Sequence, residues 1–239
     1  MTKVGVRYFI VISIFLMLLT GFSLTAWKMF EFRDRLHMFT DNKRWEEMLS
    51  KHNMYAEDRI VFFGDSQVEL WWSSPSFGSL PIVNKGVSGD KAITAIDRFD
   101  RDALSLNPQT LVLLIGTNDL AEGYAVDDTV KIIDQMAGKA FDQGINLILC
   151  SVLPVRGELL EIYSVSDIRR LNLKIQEVSK RYKADYVDLY SGLVDAEGLF
   201  REELTYDGLH PNRSGYFEMS KRLMPYLMKS VVMNMQEPS

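Results

Sequence analysis

The sequence predicts an α/β sandwich built around a parallel β-sheet. Five short apolar runs, each bounded by loop residues, recur along the chain after residue 57, and three of them are almost uninterrupted. Continuous apolar runs are typical of strands that are buried on both faces of a parallel sheet. The predicted strands are Ile60–Phe63, Ile82–Val83, Leu111–Ile115, Leu147–Val152 and Tyr186–Leu189.

Helix-like patterns lie between and after the later strands. We predict helices over Thr129–Gln143, Ile168–Tyr182 and Tyr216–Lys229, the first two because apolar residues recur on one stripe. Alternation of strands and helices implies right-handed crossovers, which bring the carboxyl ends of the parallel strands to one edge of the sheet. Ligands of such folds bind at that edge.

A different kind of segment precedes the first strand. Tyr8–Trp27 carries no charge, and about 20 apolar residues are enough to span a bilayer. We therefore expect a tail over residues 1–7 and a transmembrane anchor over 8–27. A cleaved signal peptide is the alternative, although its apolar region is usually only about 7–15 residues long.

The remaining boundaries follow from this anchor. Residues 28–57 are predicted to be a helical connector, residues 58–232 the main domain and residues 233–239 a tail. Basic residues flank the apolar run on both sides, so their distribution does not decide the orientation. A short N-terminal tail before a large domain resembles a signal anchor, which predicts a membrane-anchored protein with its domain on the extracytoplasmic side.

Composition excludes several classes of function. The 239 residues include 27 Lys and Arg against 32 Asp and Glu, a net charge of −5, whereas nucleic-acid binding requires a dense basic face. One cysteine allows neither an intrachain disulfide nor a cysteine-based zinc site, and three histidines are too few for a His-rich metal site. The sequence contains neither G-x-G-x-x-G after a strand nor G-x-x-x-x-G-K-S/T, the two glycine-rich motifs that bind nucleotides. Composition and motifs therefore predict no Cys- or His-based metal site, no bound nucleotide and no nucleic-acid partner.

Polar residues concentrate where the predicted strands end. Gly64-Asp65-Ser66 follows the first strand directly, and two further polar segments follow the second and third strands. A fourth segment lies near the C-terminus. The other three are Asn84–Asp90, Gly116–Asp119 and Asp207–Asn212. All four should meet at the carboxyl edge of the sheet.

These segments contain the parts of a serine nucleophile site. Ser66 is the candidate nucleophile, His210 the base that takes its proton, and Asp207 the carboxylate that orients the imidazole. Each residue alone has a simpler interpretation: a serine at a helix start often caps the helix, and a lone histidine is often structural. Asp207 and His210, three residues apart before a proline, favour the catalytic interpretation.

Other residues are candidates for stabilising charge or contacting substrate. Acyl transfer needs donors aimed at the developing oxyanion, and the backbone amides of Ser66 and Gly89 and the Asn118 side chain are the candidates. Gly86 is an alternative to Gly89, and Asn118 alternatively caps its loop. Trp71 is a candidate for stacking on substrate, with core packing as the alternative. Arg156 is a candidate for binding an anion, with a structural ion pair as the alternative.

Taken together and in order, the four segments resemble the SGNH, or GDSL-type, hydrolases. The resemblance covers the predicted domain 58–232. It implies a flavodoxin-like three-layer α/β/α fold with a five-stranded parallel sheet, and it implies Ser66, Asp207 and His210 as triad with the oxyanion donors of Ser66, Gly89 and Asn118. It also implies that no cofactor is needed, and that Asp65 braces its loop by hydrogen bonding.

The expected activity is hydrolysis of carboxylic esters through an acyl-enzyme on Ser66. The chain has no large insertion that would form a lid, which favours short acyl groups such as acetyl on a glycan or lipid alcohol. An acyltransferase, a lysophospholipase and a thioesterase are the alternatives on the same site. The expected partners are the ester substrate and, through the N-terminal helix, the membrane.

Overall fold

A computed structural model of the protein describes residues 47–72 and 76–234. The predicted tail 1–7, the anchor 8–27, most of the connector 28–57 and the end of the C-terminal tail lie outside these residues. No helix of the described part is long and apolar enough to cross a membrane. Residues 47–53 are helical, and Ser50 and Asn53 hydrogen-bond to the backbone of the second strand. The boundary at residue 58 stays a prediction.

Five parallel strands form one sheet, as predicted. The sheet has the order β2-β1-β3-β4-β5, the doubly wound order of flavodoxin-like folds. Gly64, the last residue of β1, pairs with Gly86 of β2 and Leu114 of β3, so these three strands end at one level. The strands are β1 Ile60–Gly64, β2 Ile82–Gly86, β3 Thr110–Leu114, β4 Asn146–Cys150 and β5 Asp185–Val187.

Helices cover both faces of the sheet. The helices are α1 Ser66–Glu69, α2 Ala92–Asp102, α3 Thr117–Ala121, α4 Val126–Asp142, α5 Val165–Arg181 and α6 Arg213–Asn234. One core lies between the sheet and α2, α4 and α5. A second core lies on the opposite face, where Val68 of α1 and the buried side of α6 pack on the strands. The arrangement is the expected three-layer α/β/α sandwich.

Two glycines allow α1 to pack directly on the ends of the strands. A Cβ atom on Gly64 would lie 2.0 Å from the carbonyl oxygen of Leu114, and one on Gly86 would lie 2.1 Å from the backbone nitrogen of Glu69. Both separations are far below van der Waals contact, and the second involves the backbone of α1 itself. The close approach of α1 to β2 therefore depends on glycine at position 86.

Candidate active site

Ser66 is the first residue of α1 and follows β1 after a single residue, Asp65. Asp65 occupies the N-cap position, and its carboxylate accepts a hydrogen bond of 2.9 Å from the backbone N–H of Gln67. The capping role that a serine often fills is therefore taken by Asp65, which braces the loop as expected. The Ser66 hydroxyl is left for another partner.

That partner is His210. The Ser66 Oγ lies 3.0 Å from His210 Nε2, although the two residues are 144 positions apart in the chain. On the other side of the ring, Nδ1 lies 2.7 Å from Asp207 Oδ2. With the ring proton on Nδ1 and donated to Asp207, Nε2 is the acceptor for the serine hydroxyl. The three side chains form a hydrogen-bonded chain in which Nε2 can accept the serine proton and Asp207 can orient the ring.

The loop that carries Asp207 and His210 is stabilised by its own hydrogen bonds. Asp207 Oδ1 accepts from the backbone N–H groups of Leu209 and His210, at 2.9 and 2.8 Å. The Thr205 hydroxyl donates to the His210 carbonyl at 2.8 Å and accepts from the Gly208 N–H at 3.0 Å. The orientation of the imidazole is thus set by contacts within six residues of sequence.

The pKa values of the two carboxyl groups near the serine, Asp207 and Asp65, are shifted in opposite directions. Partial burial raises the pKa of Asp207, but hydrogen bonds from the backbone and ring of His210 and from the Leu209 N–H outweigh it, so the net pKa lies below its ordinary value. Burial raises the pKa of Asp65 to about 7, since its hydrogen bonds do not compensate for desolvation. Asp207 is therefore suited to stay ionised beside His210.

The loop after β2 presents the predicted oxyanion donor. The backbone N–H of Asp90 donates to the Val87 carbonyl at 3.1 Å, which closes a turn with Gly89 at its third position and a φ of +82°. Such a turn favours glycine there. The N–H groups of Ser66 and Gly89 donate to no acceptor in the described residues, whereas the Gly86 N–H is bonded to Asn84 Oδ1 at 2.9 Å. The amide of Gly89 is therefore the available donor and that of Gly86 is not.

Asn118 lies beside this loop. Its side-chain amide, on the first turn of α3, donates to the Asp90 carbonyl at 2.9 Å. An amide has a second N–H, so Asn118 can bond the loop and still offer a donor. Glu69 of α1 accepts from the Ser88 N–H at 2.8 Å on the other side of the loop. The segments that carry the three candidate donors are thus hydrogen-bonded to one another.

Two predicted substrate contacts are not supported. Trp71 as a substrate contact is wrong: its side chain is 0% exposed, its indole N–H donates to Ser220 Oγ at 3.0 Å, and its ring packs against Phe62 and Tyr216. Burial in the core stabilises this large aromatic ring more than a position at the edge of the sheet would. Trp71 follows α1 and is buried between the sheet and α6.

Arg156 has the alternative role, a structural ion pair. Its guanidinium pairs with Asp195 and donates to the Phe200 carbonyl. Its backbone N–H donates to the Gly208 carbonyl at 2.9 Å, which connects the segment after β4 with the loop that holds His210. In this structure Arg156 therefore supports the loop, and anion binding by its side chain stays a prediction.

Sequence reasoning missed several residues that hold the site together. The Gln67 side chain is buried and lies between the Leu209 carbonyl and the Thr117 hydroxyl, each at 3.4 Å. Asp119 is also buried and accepts from the first two N–H groups of α2, at 2.7 and 3.2 Å. Both residues immediately follow predicted site residues, Ser66 and Asn118, and this adjacency is the one signal that the sequence offers.

Among residues 47–72 and 76–234, no group of three or more His, Cys, Asp or Glu side chains is arranged to hold a metal ion. The described residues therefore offer no metal centre to test against this site, and independence from metals stays a prediction.

Residues 62–216, well over half of the chain, match the sequence model of the GDSL-like Lipase/Acylhydrolase family. No curated protein matches the chain at a significant level. The matched range begins within β1 and ends in the first turn of α6, so it includes all four polar segments that meet at the edge of the sheet.

Solved structures resemble the chain over most of its length. A GDSL-like lipase from Bacteroides thetaiotaomicron has 29% identity and a TM-score of 0.69, with 80% of this chain and 99% of that chain covered. A candidate acylhydrolase from Bacteroides fragilis has 28% identity and a TM-score of 0.69 over 76% of this chain and 95% of that chain. A catalytic mutant of an acetylxylan esterase from Geobacillus stearothermophilus has 17% identity, a TM-score of 0.60 and coverages of 72% and 94%, a likeness of fold alone.

Proposed function

The chain belongs to the GDSL-like Lipase/Acylhydrolase family, and on that premise we propose that it hydrolyses carboxylic esters through an acyl-enzyme on Ser66. The observation that carries the proposal is the contact of 3.0 Å between Ser66 Oγ and His210 Nε2. An unassisted hydroxyl is a weak nucleophile, and a base in this position removes its proton as it attacks.

The proposed reaction has two stages. Ser66 attacks the ester carbonyl while His210 takes the hydroxyl proton, and Asp207 stabilises the imidazolium that forms. His210 then gives this proton to the leaving alcohol, and the acyl group stays on Ser66. In the second stage His210 takes a proton from water, which attacks the acyl-enzyme, and His210 then returns that proton to Ser66 Oγ as the bond to the acyl group breaks and the acid leaves.

The oxyanion that forms in each stage is stabilised by donors on three segments. The proposed donors are the amides of Ser66 and Gly89 and the side chain of Asn118. Removal of one such donor usually costs about 10²–10³ in kcat, or about 3–4 kcal/mol. The free N–H groups and the spare hydrogen of the Asn118 amide support this assignment.

The substrate we propose is a short-chain acyl ester, acetyl above all, of a larger glycan or lipid alcohol. Two connections on the side of the serine are short: Asp65 alone separates β1 from α1, and residues 87–91 separate β2 from α2. Tyr206 and Val87, on the two loops that flank the serine, are exposed. An open edge of this kind accommodates a bulky alcohol, and Trp71 and Val68, which are buried in the core, do not offer their side chains to an acyl chain.

An acyltransferase is the second candidate, because a sugar hydroxyl at this open edge can replace water in the second stage. Product analysis with and without a glycan acceptor separates the two activities.

We further propose that the N-terminal run Tyr8–Trp27 attaches the protein to the membrane, with the domain on the extracytoplasmic side. Fractionation of cells that express the full chain tests attachment, and protease accessibility in spheroplasts tests the side.

The experiment that tests the function is hydrolysis of p-nitrophenyl esters from acetyl to palmitoyl, together with an acetylated oligosaccharide. We expect turnover with a preference for acetyl, and loss of turnover in Ser66→Ala. Ser105→Ala is a matched control, since Ser105 is exposed and lies between α2 and β3, at the opposite edge of the sheet from the site. Undiminished hydrolysis by purified Ser66→Ala contradicts the proposal.

A further inference from the structure

Arg98 is a nearly buried charge behind the candidate site. It lies on α2, its side chain is only 12% exposed, and its guanidinium stacks on the Phe63 ring with 4.1 Å between Cζ and the ring centroid. A buried guanidinium is costly unless its donors are bonded. Its partners therefore indicate what the burial achieves.

Two of the three polar partners of Arg98 belong to the segments that form the site, and the third, Asp102, lies one turn further along α2, with 3.5 Å between Nη1 and Oδ2. Its Nε donates to Asp90 Oδ2 at 2.6 Å, and Asp90 directly follows Gly89. Its Nη2 donates to the carbonyl of Gly64 at 3.1 Å, two residues before Ser66. One planar group thus spans the end of the nucleophile strand and the loop with the candidate backbone donor.

The third donor segment is joined to the same residue. Asn118 donates its side-chain hydrogen bond to the backbone carbonyl of Asp90, at 2.9 Å. Asp90 therefore has its carboxylate bonded to Arg98 and its carbonyl bonded to Asn118. Displacement of Asp90 would move both the Gly89 amide and the Asn118 amide relative to Ser66.

We infer that Arg98 is a positioning residue, which sets the separation of the oxyanion donors from the nucleophile by holding Gly64 and Asp90 together. The inference rests on the proposed function, because it concerns the donors of that reaction. Arg98 acts through Asp90 and Gly64 and not by contact with substrate. Its loss should weaken stabilisation of the transition state and leave binding of the ester nearly unchanged.

The variant that tests the inference is Arg98→Lys. Lysine keeps the charge, but a single ammonium on a flexible stem lacks the planar fork that reaches both acceptors. Small displacements of catalytic groups are costly, so we expect kcat for p-nitrophenyl acetate to fall by about 10–100-fold with KM within about twofold. Arg170→Lys is the matched control: Arg170 forms an ion pair of the same 2.6 Å length with Asp127 on the exposed surface, and its replacement should change neither constant.

A fluorophosphonate separates positioning from loss of structure. The second-order rate of labelling depends on the donors, whereas the final stoichiometry counts the folded sites. We expect Arg98→Lys, and to a smaller extent Asp90→Asn, to be labelled more slowly and yet to reach full stoichiometry. Reduced stoichiometry at an unchanged rate would make the role purely structural and overturn the inference.

A double-mutant cycle adds a second criterion. If Arg98 acts through the donors, Arg98→Lys should cost much less in an Asn118→Ala background than in the wild type, because one donor it positions is already gone. Full additivity of the two changes would contradict the inference. Absence of labelling in the wild type itself would instead contradict the proposed function, so the two failures are distinguishable.

Discussion

The two halves of the candidate site are held in contrasting ways. Ser66 lies between Asp65 and Gln67, each of which is 1% exposed, on a helix that packs directly on the strand ends. The side chains of His210 and Asp207 are 24% and 53% exposed, and neighbouring Tyr206 is 54% exposed. The nucleophile is positioned by the core, while the base is positioned on the surface.

The difference shows how one site combines long-range and local determinants. The serine is placed by contacts between strands far apart in the sequence, so its surroundings contribute to folding stability. The imidazole is placed mostly by hydrogen bonds within Thr205–Pro211, with Gln67 and Arg156 bonded to the loop from outside. Changes within the loop should therefore alter activity more than stability. Replacements in the two halves should therefore have different ratios of lost activity to lost stability.

The largest effect is expected for the two residues that exchange the proton. Ser66→Ala and His210→Ala should each lower kcat by about 10⁴–10⁶-fold, and the double variant should be no worse than either, because the residues act as a unit. Steady-state hydrolysis of p-nitrophenyl acetate measures this. His52→Ala replaces an exposed histidine outside the site and should retain full activity; additive losses in the double variant would contradict a shared role.

Asp207→Asn comes next, with a fall in kcat of roughly 10³–10⁴-fold. The amide places a hydrogen-bond donor where the imidazole Nδ1–H needs an acceptor, so the ring loses the correct tautomer. Because Oδ1 can still accept from the backbone N–H groups, the free energy of unfolding should change by only about 1 kcal/mol. Urea unfolding of the same samples is the check, and collapse of stability in parallel with activity would refute a surface-held base.

In the buried half of the site, Asp65 should make the unfolding free energy depend on pH. The pKa of Asp65 is raised from 3.8 to about 7 in the folded protein, so the folded state keeps a proton that the unfolded state loses between these values. The contribution of Asp65 to stability therefore falls as pH rises through that window, by at most about 4 kcal/mol. Asp65→Asn still caps α1 but lacks this loss.

Urea unfolding of wild type and Asp65→Asn at several pH values between 4 and 8 tests this expectation. The difference in unfolding free energy should move in favour of the variant as pH rises. Effects of other carboxylates, including Asp207 with its lowered pKa, are common to both proteins and cancel in the difference. A difference that is constant with pH would show that Asp65 is ionised in the folded protein throughout.

The smallest effect is expected for Thr205, which supports the loop that holds His210. Thr205→Val removes the hydroxyl that bonds the His210 carbonyl and the Gly208 N–H. We expect a loss of about 1–2 kcal/mol in unfolding free energy and a larger loss of activity than that figure alone would produce. The control is Thr94→Val, at an exposed threonine of α2, which should change neither the unfolding free energy nor the activity. A Thr205→Val protein that is inactive but fully stable would strengthen the comparison. A fully active Thr205→Val protein would contradict it.

The sequence predicted the sheet well because each of its strands lies in a buried layer. Apolar runs identified all five strands, whose observed ends shift by a few residues, and the edge at which the polar segments meet follows from parallel pairing. Helices α4, α5 and α6 each begin three residues before their predicted starts. Most of the added residues are polar, and a single valine at the start of α4 or α5 does not form a periodic pattern.

The residues that support the site were much harder to predict. Helix α2 buries mainly Ala92, Ala95 and Phe99, and small side chains leave a weak pattern, so Arg98 was not recognised as a site residue. Ser66, His210 and Asp207 could be proposed from the sequence because their types match a reaction, and the structure brings their side chains together. Trp71 was misplaced among substrate contacts, since the sequence alone does not reveal that α6 covers the ring.

The most direct test of the account is the site of covalent labelling. The wild-type protein is treated with a fluorophosphonate and digested, and the modified peptide is sequenced by mass spectrometry. The account predicts one adduct per chain, on Ser66, with labelling slowed strongly in His210→Ala. An adduct on another residue, or labelling of Ser66 at the same rate without His210, would contradict it.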